Sequence, residues 1–348
     1  MRVDAAKRWT ERSLGAVAIF LAVIGPFLFN DYWVGFILTQ TFLLGIAAAS
    51  LIFLSAYGGM VSLAQVALYG IAGFALGNMV TTEGKGLILG WNPWLSIVLA
   101  ILITTLIGFV FGAISSRSAG IYFLMITLTY SVIANYFFGQ VTVVSGFSGI
   151  SGIDLQAPSF VGAEAEDPTR LYYVALVVAV LVYVLLRFVR RTPFGIALQG
   201  VRDEPVRMAS LGFSVPLHRT LAFTLAAFVA SLAGILYVWW NGQIDPATIG
   251  LQGTIDLLII AVLGGLGRLE GAWVGAFFFI VINNYVRDVE LPVVGGSFNT
   301  IIGLVFLAIV VLSPDGLSGL WDRAWGLIRR GGAGTDRPAV ATGTTGPG

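Results

Sequence analysis

The chain has 348 residues, of which 57% are hydrophobic and only 11% are charged, and its mean hydropathy is +0.90. A soluble domain of this length needs a charged surface, so this composition excludes an ordinary soluble protein. The net charge of +1 gives no general attraction to nucleic acid, and the absence of cysteine excludes disulfides, thiolate metal ligands and cysteine nucleophiles. Since His218 is the only histidine, we predict no catalytic, metal-binding or cofactor-binding residues.

Long apolar runs recur along the chain, and about 20 apolar residues are enough for a helix to cross a ~30 Å hydrocarbon core. We predict ten such spans, with eight as a lower bound because several are short: 14–29, 33–55, 62–80, 93–112, 119–139, 171–190, 219–241, 251–267, 270–286 and 298–312. The first resembles a signal peptide, but Asn30 and Asp31 follow it in place of a small-residue cleavage site, which favours an uncleaved span. The predicted fold is an all-α, polytopic transmembrane bundle.

The distribution of basic residues tests this topology. If the N-terminus is cytoplasmic, ten alternating spans place every Lys and Arg except Lys85, Arg170 and Arg287 on the inner side. Basic residues concentrate on the cytoplasmic side of membrane proteins, whereas a wrong span count would mix them between the two sides. We therefore predict ten spans with both termini in the cytoplasm.

The inner loop 191–218 is the most informative segment outside the membrane. Pro193 and Pro205 predict two short helices, since proline is favoured at the first turn of a helix and breaks a longer one. The loop carries too many apolar residues for a solvated linker, so it is either a docking element for a cytoplasmic partner or a basic loop that only sets orientation. The candidate docking residues are Ala197, Gly200, Arg202, Asp203, Glu204, Ala209 and Gly212. The predicted organisation is a cytoplasmic N-terminus (1–13), a transmembrane domain (14–330) and a disordered Gly/Thr/Pro/Ala-rich tail (331–348).

Polar residues inside the spans are few. Asp256 is the one carboxylate predicted within a span, and such a group is by default a functional candidate. Ser62, Gln65 and Thr127 are further candidates for a pathway or a gate. The alternative is that these groups bond between helices, and that Asp256 reaches water at the interface. Glycine clusters predict breaks in the helices near residues 57–62 and 264–267.

No phosphate-binding loop of the form Gly-x-x-x-x-Gly-Lys-Ser/Thr occurs, so if transport uses ATP another chain must hydrolyse it. A secondary transporter or channel is the alternative function, although ion coupling usually requires ionisable residues in the middle of a span. A membrane enzyme would need a cluster of His, Asp, Glu or Cys that the sequence does not show. Composition alone leaves a membrane scaffold open.

The chain resembles the LivM-type permease subunits of ABC importers for branched-chain amino acids over about residues 33–320. The resemblance rests on five segments in order: 57–65, 120–128 with 149–153, 192–212, 262–267 with Gly271 and Gly275, and 314–319. Departures include Gln65, where many relatives have His, Asp256, where Glu is common, and Pro205, where the pattern has Glu.

The resemblance implies a permease of the type II ABC importer class, embedded in a bacterial inner membrane and itself not an enzyme. It implies a LivH-like second permease, two ATP-binding subunits that receive the loop around Gly200 to Gly212, and an extracytoplasmic substrate-binding protein. It also implies that substrate selection lies mainly with that binding protein.

Overall fold

The computed structural model describes residues 23–26, 30–82, 86–153, 158, 168–286, 303, 307 and 316. A π-helical turn, Trp33–Leu38, leads into the first long helix. The helices are α1 (Thr39–Gly58), α2 (Gln65–Val80), α3 (Pro93–Ser115), α4 (Ile121–Gln140), α5 (Pro168–Val189), α6 (Pro193–Asp203), α7 (Pro205–Ser210), α8 (Val215–Asn241), α9 (Leu251–Gly264) and α10 (Gly271–Val286). Two short strands, β1 (Ile150–Ser151) and β2 (Gln243–Ile244), pair antiparallel with Ile150 opposite Ile244, and a 3-10 turn, Pro246–Ile249, follows β2.

Within the described residues, five helices are long and apolar enough to cross a membrane: Trp33–Gly58, Pro93–Ser115, Ile121–Gln140, Thr169–Val189 and Val215–Asn241. The helices α2, α9 and α10 are apolar but shorter. Together these helices coincide with the predicted spans between residues 33 and 286, and the prediction of an all-α polytopic bundle is confirmed. The predicted spans 14–29 and 298–312 lie almost wholly outside the described residues.

Both predicted helix breaks are present. The helix α1 ends at Gly58, and Gly59 adopts a left-handed φ of 65°, which is the usual way to end a helix with glycine. Residues 59–64 are not helical, and α2 begins at Gln65. The second break follows α9, where Gly265 has a φ of 104° before a turn leads into α10.

The helix α8 is the centre of the bundle and packs against α1, α2 and α3. Glycine makes this packing close. A Cβ on Gly108 of α3 would lie 2.1 Å from the Cβ of Ala227 in α8, and a Cβ on Gly234 of α8 would lie 2.0 Å from the carbonyl oxygen of Tyr69 in α2. Lipid is as apolar as the helix surfaces, so van der Waals contact through such small residues holds membrane helices together.

The helices α9 and α10 form a hairpin of the same kind, packed against α1. A Cβ on Gly275 would lie 2.1 Å from the carbonyl oxygen of Ile260. On the side towards α1, the indole ring of Trp273 covers Gly45, whose Cβ would lie 2.5 Å from Cδ1 of the ring. Glycines within the helices thus provide close helix contacts, whereas Gly59 and Gly265 end helices.

Candidate functional site

The loop between α5 and α8 folds into two short helices, as its prolines predict. The hydroxyl of Thr192 caps α6 by accepting a hydrogen bond from the backbone N–H of Gly195 at 3.3 Å, and Pro193 occupies the first helical turn. The second helix, α7, starts at Pro205 and has only six residues. The helix α7 folds back onto α6, and the side chain of Met208 in α7 packs against Gly200 in α6. A Cβ on Gly200 would lie 2.9 Å from the sulfur of Met208.

The inner side of this loop is fixed to the bundle. Leu198 and Val201 of α6 are fully buried, and α6 packs against α1 and α8. Arg190, just after α5, donates a hydrogen bond from Nη1 to the hydroxyl of Tyr57 in α1 at 3.2 Å. These contacts join the loop to the end of α1 rather than leaving it as a solvated linker.

Arg202 makes the closest connection between the loop and α1. Its Nη1 donates to the carbonyl oxygen of Ala56, in the last turn of α1, where the helix leaves carbonyl groups unpaired and its dipole favours a cation. Its aliphatic chain covers Gly59, whose Cβ would lie 2.6 Å from Cγ of Arg202. Its Nε donates to Asp203 at 2.7 Å, and this hydrogen bond holds the pKa of the Asp203 carboxyl below its usual range.

The outer side of the loop presents apolar side chains to its surroundings. No residue of α7 is buried. Val206 is 78% exposed and Leu211, just after the helix, is 65% exposed. Exposed apolar groups clustered among charged ones mark an interaction surface. We call residues 202–213 the outer loop surface.

The structure brings the candidate docking residues together on this loop but not on one face. Ala197 is buried against the bundle and Gly200 is half-buried under Met208. The others are exposed and belong to the outer loop surface: Arg202, Asp203, Glu204, Ala209 and Gly212. Gly212 has a φ of 90° and no atom near the position of a Cβ, so its role is the left-handed turn between α7 and α8.

Three of the four candidate pathway residues meet at the break between α1 and α2. The hydroxyl of Ser62 accepts hydrogen bonds from the backbone N–H of Ala64 at 3.2 Å and from Nε2 of Gln65 at 3.4 Å. The hydroxyl of Thr127, in α4, accepts from the backbone N–H of Leu63 at 3.1 Å. Ser62, Gln65 and Thr127 are fully buried, so in this structure they satisfy the polar groups of a broken helix.

Sequence reasoning missed two further buried hydroxyl groups, one in this polar network and one near it on α4. Ser50 of α1 is fully buried, and its hydroxyl lies 3.0 Å from Oε1 of Gln65. Ser131 of α4 lies 3.0 Å, hydroxyl to hydroxyl, from Thr254 of α9. A signal for Ser131 is present, because Thr127, Ser131 and Asn135 recur every four residues and so share one face of a helix.

That face of α4 is a ladder of three polar contacts. Thr127 meets the break after α1, Ser131 meets α9, and Asn135 donates from Nδ2 to the carbonyl oxygen of Pro246 in the 3-10 turn at 2.6 Å. Hydrogen bonds between membrane helices are each worth roughly 0.6 kcal/mol, so their main effect is to fix relative positions. The ladder thus connects α4 to the break after α1, to α9 and to the 3-10 turn.

Asp256, the fourth candidate, is separate from this network. It lies in the second turn of α9 and is half-buried, and its Oδ1 accepts a hydrogen bond from Nε2 of the exposed Gln252 at 2.9 Å. The two side chains form a polar strip on an otherwise apolar helix, beside Leu251 and Ile255, which are also exposed. Asp256 is therefore accessible from outside the described bundle, whereas the other three candidates are not.

The chain matches the family described as "Branched-chain amino acid transport system / permease component" over residues 34–312. It is 26% identical over 294 residues to the LivM permease protein of the high-affinity branched-chain amino acid transport system of Salmonella typhimurium, covering 78% of this chain and 67% of the relative. It is 25% identical to the probable LivM permease of Methanocaldococcus jannaschii, covering 78% of this chain and 84% of the relative.

A further relative, 29% identical over 310 residues, is the autoinducer 2 import system permease LsrC of an Enterobacter strain, covering 87% of this chain and 86% of the relative. No solved structure matches the chain significantly. The family match spans most of the chain and includes both helix breaks, the short loop helices and the hairpin of α9 and α10. The chain belongs to the family of permease components of branched-chain amino acid transport systems, and it is a multi-pass, LivM-type permease of the ABC importer class.

Proposed function

We propose that this chain moves a branched-chain amino acid, or a related small amide, inward across a bacterial inner membrane with energy from ATP hydrolysed on partner chains. The partners are a LivH-like second permease, two ATP-binding subunits and an extracytoplasmic substrate-binding protein. The family membership and the names of the LivM relatives support the transporter class and the solute. The LsrC relative imports a different solute by name, so related permeases serve different substrates.

The observation that carries this proposal is the two-sided loop between α5 and α8. Its inner side is buried against α1 and α8 through Leu198 and Val201, while Val206 and Leu211 are exposed on its outer side. A loop that only sets orientation needs neither feature. Docking of the outer loop surface into a cleft on an ATP-binding subunit would bury those apolar groups and leave the charged residues at the rim.

The orientation follows from charge. The loop and its flanks contain Arg187, Arg190, Arg191, Arg202, Arg207 and Arg219. Positive charge marks the cytoplasmic side, which is also where ATP is available. We place the loop and both termini in the cytoplasm.

The contacts of the loop suggest how force reaches the membrane. Closure of the ATP-binding subunits on ATP would displace α6 and α7, and Arg202 would carry the displacement to the end of α1 at Ala56. Residues 59–64 connect that end to α2 and, through the Leu63 to Thr127 hydrogen bond, to α4. A rigid loop and a broken helix would in this way couple docking to rocking of the bundle.

The test is to place a carboxylate in the outer loop surface. Val206→Asp and Leu211→Asp should abolish co-purification of the ATP-binding subunits and reduce uptake of labelled leucine by at least about ten-fold, a loss of ~1.4 kcal/mol in coupling. The conservative Val206→Ile should retain both, and membrane insertion should be normal in all variants. Gly212→Val, which forces a branched residue into a left-handed turn, should behave like the Asp variants.

Uptake in a strain that lacks every candidate ATP-binding partner distinguishes this proposal from the competing class of secondary transporters and channels. A secondary transporter or a channel would continue to take up solute there, and that result would refute the proposal. Competition of leucine uptake by valine, urea and small amides then defines the solute.

A further inference from the structure

A cavity of about 120 Å³ lies where three helix ends meet. Its lining comes from the end of α1 (Gly59, Met60 and Val61), from the start of α4 (Ala119, Gly120, Phe123 and Leu124), and from Arg219 near the start of α8. Since the ends of membrane helices lie at the boundary between hydrocarbon and water, the cavity sits at the level of the lipid headgroups.

Arg219 brings to this cavity a positive charge that no carboxylate of the described residues pairs with. Its Nε is buried and has no hydrogen-bond partner, and its Nη1 reaches only the carbonyl oxygen of Ser118, at a long 3.5 Å. Among the described residues no carboxylate forms a salt bridge with Arg219; the salt bridges there join Arg187 to Glu270 and Arg202 to Asp203. A half-buried guanidinium with free donors favours an anion beside it, because burying a charge without a partner is costly.

The first turn of α4 adds to the attraction for an anion. Gly120 is its N-cap residue, with a φ of 58°, and no side chain caps the turn. Unpaired N–H groups and the helix dipole give such an end partial positive charge. This feature supports the site but does not define it, since the cavity and the unpaired Nε of Arg219 do so independently.

Exposed apolar side chains are next in sequence to residues that line the cavity. Ile121 is 66% exposed and Tyr122 is 71% exposed, and both directly follow Gly120, while Leu217 and Leu221 are exposed two residues before and after Arg219. In a membrane protein such side chains face acyl chains. A cation in a cavity beside exposed apolar side chains matches the two parts of a phospholipid.

We propose that Arg219 binds the phosphate of an anionic phospholipid, with the headgroup in the cavity and the acyl chains along Ile121 and Tyr122. Arginine suits this role because its planar fork can give a phosphate two parallel hydrogen bonds. A bound headgroup would contact Gly59 to Val61, part of the segment that joins α1 to α2, so the lipid would stabilise the same helix break that Arg202 contacts at Gly59.

The test compares lipid retention in detergent-purified permease by native mass spectrometry. The wild type should retain phosphatidylglycerol over phosphatidylcholine, and Arg219→Gln should reduce that retention by about five-fold or more. Arg117→Gln, an exposed arginine in the same turn as Ser118, is the matched control and should change retention by about two-fold or less. Equal retention by wild type and Arg219→Gln would overturn the proposal.

A second variant keeps the test decisive if Arg219→Gln does not fold. Ala119→Glu adds a carboxylate at the exposed edge of the cavity without removing Arg219, and it should also abolish the preference for phosphatidylglycerol. Competition identifies the source of the anion. If soluble glycerol phosphate or leucine displaces the lipid at low concentration, the exposed apolar side chains contribute nothing and the lipid assignment is wrong; if only anionic lipid competes, the assignment stands.

Discussion

The guanidinium group of Arg202 donates a hydrogen bond to the carbonyl oxygen of Ala56, and its aliphatic chain lies over Gly59. One side chain of the loop thereby stabilises the end of α1 and occupies the space that only a glycine at position 59 leaves free. The contact joins the outer loop surface, where a partner would dock, to the break that precedes α2. A change at this contact should affect the transmission of force while leaving the exposed apolar side chains of the outer loop surface, Val206 and Leu211, unchanged.

Replacing Arg202 tests this transmission. Arg202→Gln removes the cation from the carbonyl end of α1, and a hydrogen bond to a charged group is worth about 1.5–3 kcal/mol. We expect leucine uptake to fall by roughly ten-fold or more while the ATP-binding subunits still co-purify and still hydrolyse ATP. Arg202→Lys keeps the charge but not the planar guanidinium group with its several N–H donors, and it should retain an intermediate rate of leucine uptake.

The control for Arg202 is Arg191→Gln, because Arg191 is an exposed arginine that precedes α6. It should support uptake at the rate of the wild type. Loss of co-purification in Arg202→Gln would instead assign Arg202 to docking and contradict its proposed role in transmission.

Two glycine-to-alanine substitutions in different helices distinguish the effect of helix packing on stability from the effect of helix propensity. Alanine at position 108 places a Cβ 2.1 Å from that of Ala227, so α3 and α8 must move apart, at a cost of about 1–3 kcal/mol. Alanine at position 139 of α4 meets only Pro246 at 3.8 Å and should stabilise the helix by up to about 1 kcal/mol. The measurement is the melting temperature of the purified protein in detergent; equal shifts would show that α3 does not pack on α8 through Gly108.

The third prediction concerns the buried amide of Gln65, where the loss of stability should depend on whether the new side chain is apolar or charged. Gln65→Leu removes contacts with Ser50 and Ser62, but Ser50 still lies 2.6 Å from the carbonyl oxygen of Ala47 and Ser62 still accepts from Ala64. The expected loss is therefore small, about 1 kcal/mol. Gln65→Glu buries a carboxylate without a cation and should cost several kcal/mol.

The melting temperatures of these two variants provide the check. A Gln65→Leu protein less stable than Gln65→Glu would mean that position 65 is hydrated, as expected for a residue that lines a pathway. The comparison thus also distinguishes the structural role of Gln65 from the candidate gating role.

Much of the fold could be predicted from sequence because its signals are local. Prolines at positions 193 and 205 start α6 and α7, and glycines near 59 and 265 mark both breaks. The contact between Arg202 and Ala56 joins residues 146 apart, so no local pattern reveals it. Ser50 is similarly hidden, since one hydroxyl in an apolar helix has no visible partner until α2 folds against it.

Candidate sites were harder to predict for the same reason. The sequence places Ser62, Gln65, Thr127 and Asp256 within or next to spans, but it does not say which way a side chain faces. In the structure the first three are buried in hydrogen bonds within the chain, and only Asp256 is accessible from outside the described bundle. Exposure of a polar residue depends on which helices pack on it, which is a property of the whole fold.

Asp256 carries the last prediction, because a carboxylate on the outer face of a membrane helix must meet water, a polar solute or a partner chain. Asp256→Asn keeps the size of the side chain and an acceptor for Gln252 but removes the charge. If the carboxylate faces the solute's path, we expect uptake to fall by about ten-fold with unchanged ATP hydrolysis. Gln252→Leu, which removes the hydrogen bond but leaves the carboxylate, is the matched control and should have a smaller effect. Wild-type uptake by Asp256→Asn, with Asp256→Leu equally active, would exclude Asp256 from the pathway and leave it as a residue that only reaches water at the interface.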